Sequence, residues 1–300
     1  MTNAAGRMKG TLLVTGVALM VMVVMSAAAN AQDAGYILVE GWPQLPAGMA
    51  WGQVISVDVD ADGNIVVFRR AEPPILKFDP SGKLVGSFGE GVIVRAHGFD
   101  IDHEGFFWAT DQRGHQVIKF SPDGKVVMTL GTKEVAGVGP DTFDGPCDVA
   151  VAANGDFFVA DGHGNSRVAK FSTDGTFVKA WGTKGTGRGE FDVPHSIAID
   201  SQERLFVADR SNNRIQIFDQ DGGYLEEWTQ FGSPSGIFIS DDDMIYVADS
   251  GKGITVGSAK DGSVTAFIPG TEPEGVVADG DGNVYAAEPA GEMLKKFAKK

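Results

Sequence analysis

Short apolar runs alternate with polar residues along the body of the chain, and clusters of Gly and Asp separate the runs. One copy of the pattern contains four such runs, at Phe99–Asp102, Phe106–Ala109, Val117–Phe120 and Val126–Leu130. Their β-branched and aromatic residues are typical of strands, and turn pairs such as Asp123-Gly124 supply the positive φ that tight hairpins require. The pattern predicts a four-stranded antiparallel meander in each copy and no long helix in the body.

The pattern occurs six times, at separations of 42, 50, 48, 40 and 39 residues. Each copy has a first turn whose position can be aligned with the others, at Asp60, Asp102, Ala152, Asp200, Ser240 and Asp279. A four-stranded unit of this length cannot bury both faces alone, so six units either stack linearly or close into a ring.

The two ends of the chain favour closure. The sixth copy ends after its third strand, Met293–Phe297, whereas an extra apolar run, Tyr36–Glu40, precedes the first copy. Docking that run as the missing outer strand would close the ring and leave no unpaired edge. We therefore predict an all-β protein with a single domain at 32–300, a six-bladed β-propeller closed by its N-terminal strand. A seven-bladed ring would need a seventh copy, which the chain lacks.

The first 31 residues have a different pattern. Arg7 and Lys9 precede an apolar run at Thr11–Met25, and Ser26–Ala31 supplies the small residues of a cleavage site. This order is typical of a secretory signal peptide, and an uncleaved membrane anchor is the alternative. Cleavage after Ala31 predicts a periplasmic or secreted protein with no further contact with the membrane.

The charge and the cysteine content limit which partners and which stabilising sites the chain can have. The chain carries 25 basic against 40 acidic side chains, a net charge of -15, which would repel a phosphate backbone and argues against nucleic acid as a partner. The single cysteine, Cys147, excludes an internal disulfide and a cysteine-rich zinc site. We expect a monomer that binds a small molecule or a peptide, while ring closure, which satisfies every blade, does not itself indicate the oligomeric state.

One column of residues points to a metal site. In a propeller blade the first strand lines the central channel, and the residues five before the aligned turns share one rim: Ile55, His97, Cys147, His195, Ser235 and Glu274. His97, His195 and Glu274 come from alternate blades, so their side chains would converge on the axis and leave a position open. Two His and one Glu can bind catalytic zinc and also resemble the set that binds ferrous iron. Alternatively, both imidazoles are polar plugs bonded to neighbouring backbone.

A second column adds groups for a substrate at the same rim. Arg70 and Arg210 lie ten residues after their turns and His163 lies eleven after its own. Arginine presents a fork suited to a carboxylate, and a histidine can move a proton near neutral pH. Alternatively, the arginines pair with acidic neighbours and His163 serves a turn. Four aspartates that recur at one position are predicted to cap loops by accepting backbone N–H groups: Asp111, Asp161, Asp209 and Asp249.

The repeats resemble a known family. The segments DFFVADGHGNSRVAKFSTDGTFVKAWG and FDVPHSIAIDSQERLFVADRSNNRIQIF resemble NHL repeats. The segments EGWPQLP, GNIVVFRR, AHGFDID, ADGHGNSR and VPHSIAI are similar, in the same order, to the peptidyl-α-hydroxyglycine α-amidating lyase domain of peptidylglycine α-amidating enzymes. The resemblance implies a six-bladed propeller with an axial zinc that splits a C-terminal α-hydroxyglycine into a peptide amide and glyoxylate.

The resemblance also implies roles for individual residues. It places two zinc histidines at His97 and His195 and two active-site arginines at Arg70 and Arg210. Glu274 stands where the family has its third zinc histidine.

Further positions depart from the family. His163 stands where the family has a tyrosine base. The family's structural calcium would be held by backbone carbonyls at Val57 and Phe99, but Gly275 replaces its aspartate ligand, so calcium is in doubt. The family's disulfide is missing because Asp144 and Gly164 occupy its positions.

The sequence therefore predicts a metal-dependent lyase that cleaves the C–N bond of a hydroxylated amide, with His163 as base. Two alternatives stay open. One is a non-catalytic NHL propeller that binds a protein or small ligand, and the other is a different lyase or hydrolase that uses the same metal.

Overall fold

A computed structural model describes residues 1–2 and 35–300, and within them the chain forms six four-stranded antiparallel sheets. The predicted signal peptide at 1–31 lies almost entirely outside the described residues. Among the described residues, no helix is long and apolar enough to cross a bilayer.

The first three blades each take four consecutive strands. Blade 1 consists of β2 (Gln53–Val59), β3 (Ile65–Arg70), β4 (Ile75–Phe78) and β5 (Leu84–Phe88). Blade 2 consists of β6 (Ala96–Ile101), β7 (Phe107–Asp111), β8 (Gln116–Phe120) and β9 (Val126–Leu130). Blade 3 consists of β10 (Pro146–Val151), β11 (Phe157–Asp161), β12 (Arg167–Phe171) and β13 (Phe177–Trp181).

The last three blades include the closing one. Blade 4 consists of β14 (Pro194–Ile199), β15 (Leu205–Asp209), β16 (Arg214–Phe218) and β17 (Tyr224–Trp228), with a short 3-10 helix at Arg210–Asn212. Blade 5 consists of β18 (Pro234–Ile239), β19 (Met244–Asp249), β20 (Gly253–Ser258) and β21 (Val264–Pro269). Blade 6 consists of β22 (Gly275–Ala278), β23 (Val284–Glu288), β24 (Met293–Lys299) and β1 (Tyr36–Leu38).

The ring closes between the two ends of the described propeller. β1 pairs antiparallel with β24, so that Tyr36 lies opposite Lys299 and Leu38 lies opposite Phe297. This closure was predicted from the extra apolar run, although the observed strand is shorter than that run. The all-β fold and the six blades are confirmed.

The core lies between the blades. Six hydrophobic clusters each join the faces of two neighbouring sheets. For example, the rings of Trp108 in blade 2 and Phe157 in blade 3 lie with their centroids 4.5 Å apart. Because each blade buries both faces against its neighbours, the six inner strands are held around one central channel.

The predicted capping aspartates hold the loops at the site end of the channel. Backbone N–H groups donate to Asp111 from Val94 and Arg95, at 2.7 and 2.8 Å. The same contact recurs in the next three blades, at Asp161, Asp209 and Asp249. The capping role is therefore confirmed, and it fixes the loops that precede the inner strands.

Candidate active site

β-Bulges aim the inward column at the axis. In blades 1 to 5 the pairing of the first two strands shifts register at the residue five before the aligned turn, which leaves that residue without an opposite partner. A bulge redirects the side chain of the extra residue. His97 and His195 occupy two of these bulges, and both are 3% exposed.

Both buried imidazoles are oriented by backbone carbonyls. Nδ1 of His97 donates to the carbonyl oxygen of Cys147 at 2.8 Å, and Nδ1 of His195 donates to that of Ser235 at 2.7 Å. Each carbonyl accepts, so the proton lies on Nδ1 and each Nε2 keeps its lone pair. The ring centroids are 4.7 Å apart. Two acceptor nitrogens therefore face one small volume.

Glu274 joins the two histidines from blade 6. Its Oε1 lies 3.3 Å from Nε2 of His195 and 4.0 Å from Nε2 of His97. Its Oε2 accepts a hydrogen bond from Oγ of Ser235 at 3.0 Å. The three predicted ligand side chains therefore meet within a few ångströms, and the side chain of Glu274 is 21% exposed.

His163 lies closer to this group than its column position indicated. Its Nε2 is 2.8 Å from Nε2 of His97, and one nitrogen from each of His97, His163 and His195 lies within 4.8 Å of the others. Because His97 keeps its proton on Nδ1, we infer that Nε2 of His163 is the donor in this contact. Loss of solvent around the ring, followed by the neighbouring His195 and Arg210, lowers the pKa of His163 to about 3.

Arg70 and Arg210 approach the histidine cluster from blades 1 and 4. Nη1 of Arg210 donates to Nε2 of His195 at 2.7 Å and lies 3.6 Å from Oε1 of Glu274. Arg70 is held by the carbonyl oxygen of Ala96 at 3.0 Å and by Oε1 of Gln53 at 3.1 Å. Within residues 35–300, Arg70 forms no ion pair, whereas Arg210 pairs with an acidic neighbour, Glu274, which belongs to the site itself.

The surroundings keep His97 and His163 neutral and the carboxyl group of Glu274 ionised. Burial, followed by the neighbouring His195 and His163, holds the pKa of His97 well below its usual value. Burial alone would raise the pKa of Glu274, but its contact with His195 and the positive charge of Arg210 lower it. At neutral pH the cluster thus offers a neutral imidazole beside a carboxylate.

This donor set fits a divalent cation. Metal-binding histidines are neutral and give their other N–H to a backbone carbonyl or carboxylate, as His97 and His195 do. Glu274 adds a negative oxygen held by Ser235. Nε2 of His97 and Nε2 of His195 each have one lone pair. A metal ion would therefore compete with the hydrogen bond from His163 for the first and with that from Arg210 for the second.

The resemblance also implies a calcium site and the position of a disulfide, and the residues found at both lack part of what each would need. Val57 and Phe99 lie on inner strands and line the channel below the histidines, and Gly275 supplies no carboxylate. Calcium therefore stays a prediction. Asp144 and Gly164 are adjacent, with the N–H of Gly164 donating to the carbonyl oxygen of Asp144 at 2.7 Å, although no disulfide is available there.

Three supporting residues were not singled out from the sequence. Ser235 shares the column of the ligands, which was a usable signal for it. Gln53 contacts Arg70, and Thr110 donates to the carbonyl oxygen of Cys147 at 3.0 Å. Neither of these two carried a signal, because each acts through a contact between strands.

Comparisons with known proteins agree with the fold. A family model described as a 6-bladed beta-propeller, DUF5128, matches residues 148–243. The chain is also similar to a solved streptogramin B lyase structure, with a TM-score of 0.65 and 18% identity, covering 88% of this chain and 98% of that one. At this identity the likeness concerns the fold alone.

Sequence relatives fall into two groups. Peptidyl-glycine alpha-amidating monooxygenase B of Xenopus laevis is 30% identical, over 86% of this chain and 35% of that protein. Peptidyl-alpha-hydroxyglycine alpha-amidating lyase 1 of Drosophila melanogaster is 33% identical, over 63% of this chain and 41% of that protein. NHL repeat-containing protein 3 of Homo sapiens is also 33% identical, over 71% of this chain and 66% of that protein.

The chain spans about a third of the length of the Xenopus amidating enzymes that it matches. The match to relatives of both groups agrees with the repeats and motifs found in the sequence. The chain is an NHL-type six-bladed β-propeller that resembles the peptidyl-α-hydroxyglycine α-amidating lyase domain of peptidylglycine α-amidating enzymes.

Proposed function

We propose that the chain is a metal-dependent extracytoplasmic lyase that cleaves the C–N bond of a hydroxylated amide, releasing an amide and glyoxylate. The observation that carries the proposal is the convergence of His97, His195 and Glu274 beside His163 and Arg210 at one mouth of the channel. Titratable groups with perturbed pKa values that are gathered in one cleft are typical of a functional site, and a scaffold has no need of them.

His97, His195 and Glu274 would hold zinc or another divalent cation such as iron. When bound, the cation would supply positive charge that lowers the pKa of a hydroxyl group beside it. Side chains of the protein would perform all other steps of the reaction.

Arg70 would bind the terminal carboxylate of the substrate. Its Nε and Nη1 are already engaged with Ala96 and Gln53, so the guanidinium is held in one orientation before the substrate arrives. A guanidinium fixed in this way presents its remaining N–H groups to a carboxylate as a fork.

His163 would take the proton from the substrate hydroxyl group. Its lowered pKa keeps the imidazole neutral at pH 7, as a proton acceptor must be. The carbinol oxygen then forms a carbonyl group while the C–N bond breaks and its electron pair goes to the amide nitrogen. The protonated His163 returns the proton to that nitrogen, and Arg210 stabilises the negative charge that develops at the oxygen.

The test is elemental analysis of the purified protein together with a glyoxylate assay on an α-hydroxyglycine peptide. We expect about one metal ion per chain and glyoxylate release, with both lost in His97→Ala and His195→Ala. His103→Ala is the matched control, because His103 is outside the cluster of histidines. Metal-free protein whose behaviour is unchanged in both variants would contradict the proposal.

The similarity to NHL repeat-containing protein 3 favours one second candidate, a propeller that binds a protein or small ligand without chemistry. That function predicts no bound metal and no dependence of ligand binding on His97. Metal without glyoxylate release would instead indicate a different lyase or hydrolase built on the same site.

The extracytoplasmic location rests on Arg7, Lys9 and the apolar run that follows them. Mass spectrometry of the protein from its native cells tests it. We expect a mature N-terminus at Gln32, and an intact Met1 would contradict cleavage.

A further inference from the structure

Three arginines lie on blades 1 and 2 beside the predicted substrate groups. Arg70 ends β3, Arg95 immediately precedes β6, and Arg113 follows β7. Because Nε of Arg70 donates to the carbonyl oxygen of Ala96, its side chain crosses from blade 1 to blade 2 and reaches the backbone beside Arg95. Only Arg70 was singled out from the sequence.

Arg95 and Arg113 are joined through the residue between β7 and Arg113. Nε of Arg95 donates to Oε1 of Gln112 at 2.9 Å, and the N–H of Gln112 donates to the carbonyl oxygen of Arg95 at 3.0 Å. The N–H of Arg95 is in turn bonded to Asp111. These contacts fix the loop that carries Arg113 against the start of β6.

These three guanidinium groups have no ion-pair partner among residues 35–300. Asp111 is buried, and its oxygens accept the backbone N–H groups of nearby residues instead of forming an ion pair with one of these guanidinium groups. Arg113 is exposed and makes no hydrogen bond within the described part of the chain. In contrast, other arginines bind a carboxylate in their own blade, namely Arg167, Arg204 and Arg214.

The three groups are close enough to affect one another. Burial, then the positive charge of Arg95, and to a smaller degree that of Arg113, lower the pKa of Arg70 to about 10, against the opposing effect of Glu274. Three positive charges that Glu274 only partly offsets are unfavourable together, and they are unexpected in a chain with a net charge of -15. Such a cluster at a channel mouth is typical of a site for an anion.

We propose that Arg95 and Arg113 form an anion subsite outside the channel, which binds a second carboxylate of the substrate while Arg70 binds the first. The inference rests on the proposed lyase function and names its substrate class. Because the subsite lies beyond Arg70 on the rim, the second carboxylate belongs to the part of the substrate that becomes the amide. An α-hydroxyglycine preceded by Asp or Glu has this chemistry.

The test compares two peptides, N-acetyl-Tyr-Asp-hydroxyglycine and N-acetyl-Tyr-Asn-hydroxyglycine, with wild-type protein, Arg113→Gln and the double variant Arg95→Gln with Arg113→Gln. We expect wild-type kcat/KM to favour the Asp peptide by about fivefold or more, and the preference to shrink in 0.5 M salt. Both variants should lose the preference while Arg113→Gln keeps the wild-type rate on the Asn peptide. The matched control is Arg188→Gln, an arginine whose guanidinium lies 5.4 Å from the ring of Tyr224.

Calorimetric binding of the corresponding glycine peptides, which lack the hydroxyl group, separates this inference from the proposed function. If no hydroxylated peptide is cleaved but Asp-Gly binds more tightly than Asn-Gly, and only when both arginines are present, the lyase proposal fails and the subsite stands. Equal Asp to Asn ratios in wild-type and double-variant protein, in both assays, would overturn the subsite.

Discussion

The hydroxyl group of Ser235 donates a hydrogen bond to Oε2 of Glu274 at 3.0 Å. The backbone carbonyl oxygen of the same serine accepts a hydrogen bond from Nδ1 of His195 at 2.7 Å. One residue on blade 5 thus orients two predicted ligands on blades 4 and 6, and it is only 1% exposed.

We therefore expect Ser235→Ala to weaken metal binding by about 10–100-fold, because residues that orient metal ligands commonly contribute this much to affinity. Competition with a chelator of known affinity measures the effect. Ser240→Ala is the matched control, since Ser240 bonds to Asp242 in a surface turn. An unchanged metal affinity in Ser235→Ala would show that Glu274 needs no such support.

Replacing Glu274 with histidine tests the departure from the amidating lyases. Glu274→His would exchange a carboxylate for a neutral nitrogen and raise the net charge of the metal centre by one. We expect the variant to keep its metal and to cleave α-hydroxyglycine peptides faster, because a less neutralised cation is a stronger Lewis acid. Glu274→Gln should lower metal affinity by more than about tenfold. Metal loss in Glu274→His together with full retention in Glu274→Gln would contradict Glu274 as a ligand.

Asp148 makes stability depend on pH. Burial raises the pKa of Asp148 to about 7, even though Ser196 and Ile197 donate hydrogen bonds to its carboxyl group. The unfolded chain releases this proton near pH 4, so the stability that the group contributes is present below pH 4 and is lost as pH rises toward 7.

We expect Asp148→Asn to reduce the loss of unfolding free energy between pH 4.5 and pH 7.5 by on the order of 2 kcal/mol relative to wild type. Asp58 and Asp100 face the same channel and continue to titrate in the variant. Urea unfolding at both pH values measures the change in unfolding free energy with pH. This change tests the prediction even if the substitution lowers stability at every pH. Parallel pH profiles for the two proteins would be inconsistent with a raised pKa.

Arg69 replaces the capping carboxylate in blade 1 with a buried cation. It is 1% exposed and donates to the carbonyl oxygens of Ala50, Trp51, Glu72 and Pro73. The guanidinium therefore fixes the two loops on either side of it by donating hydrogen bonds, whereas the aspartates of other blades accept them.

Arg69→Ala should lower the unfolding free energy by about 3 kcal/mol or more, because it leaves several buried carbonyl groups without a donor. Denaturant unfolding measures this loss. The exposed Arg188→Ala should change stability by less than about 0.5 kcal/mol. A similar, small effect of both substitutions would mean that water replaces the guanidinium.

The repeat period predicted the fold well because it reports on local hairpins and on which residues face the axis. The six copies, the closing strand and the aspartate caps all depend on short segments whose turn chemistry is visible in the sequence. The column of His97, His195 and Glu274 followed from the same period, since residues at one position in each blade share one height in the channel.

The remaining features depend on contacts between blades, which the period does not specify. The bulges arise from the pairing of two strands, so a linear pattern cannot show that His97 lacks an opposite residue. The contact between His163 and His97 joins blades 3 and 2 through side-chain reach. Arg69 was missed because blade 1 has a hydrogen-bond donor at the position where the other blades have an aspartate acceptor. The repeated aspartate pattern therefore does not reveal its role.

The pairing of β1 with β24 has a consequence for how the protein is made. The two strands lie at opposite ends of the described propeller, so the sheet of blade 6 cannot be completed until residues near Lys299 are present and free to pair. Five blades can form in order from contacts that are close in sequence. The pairing of β1 with β24 joins the residues that are farthest apart in sequence, so it forms after them. Pairing of β1 with β24 is then the last step in folding the six-bladed ring.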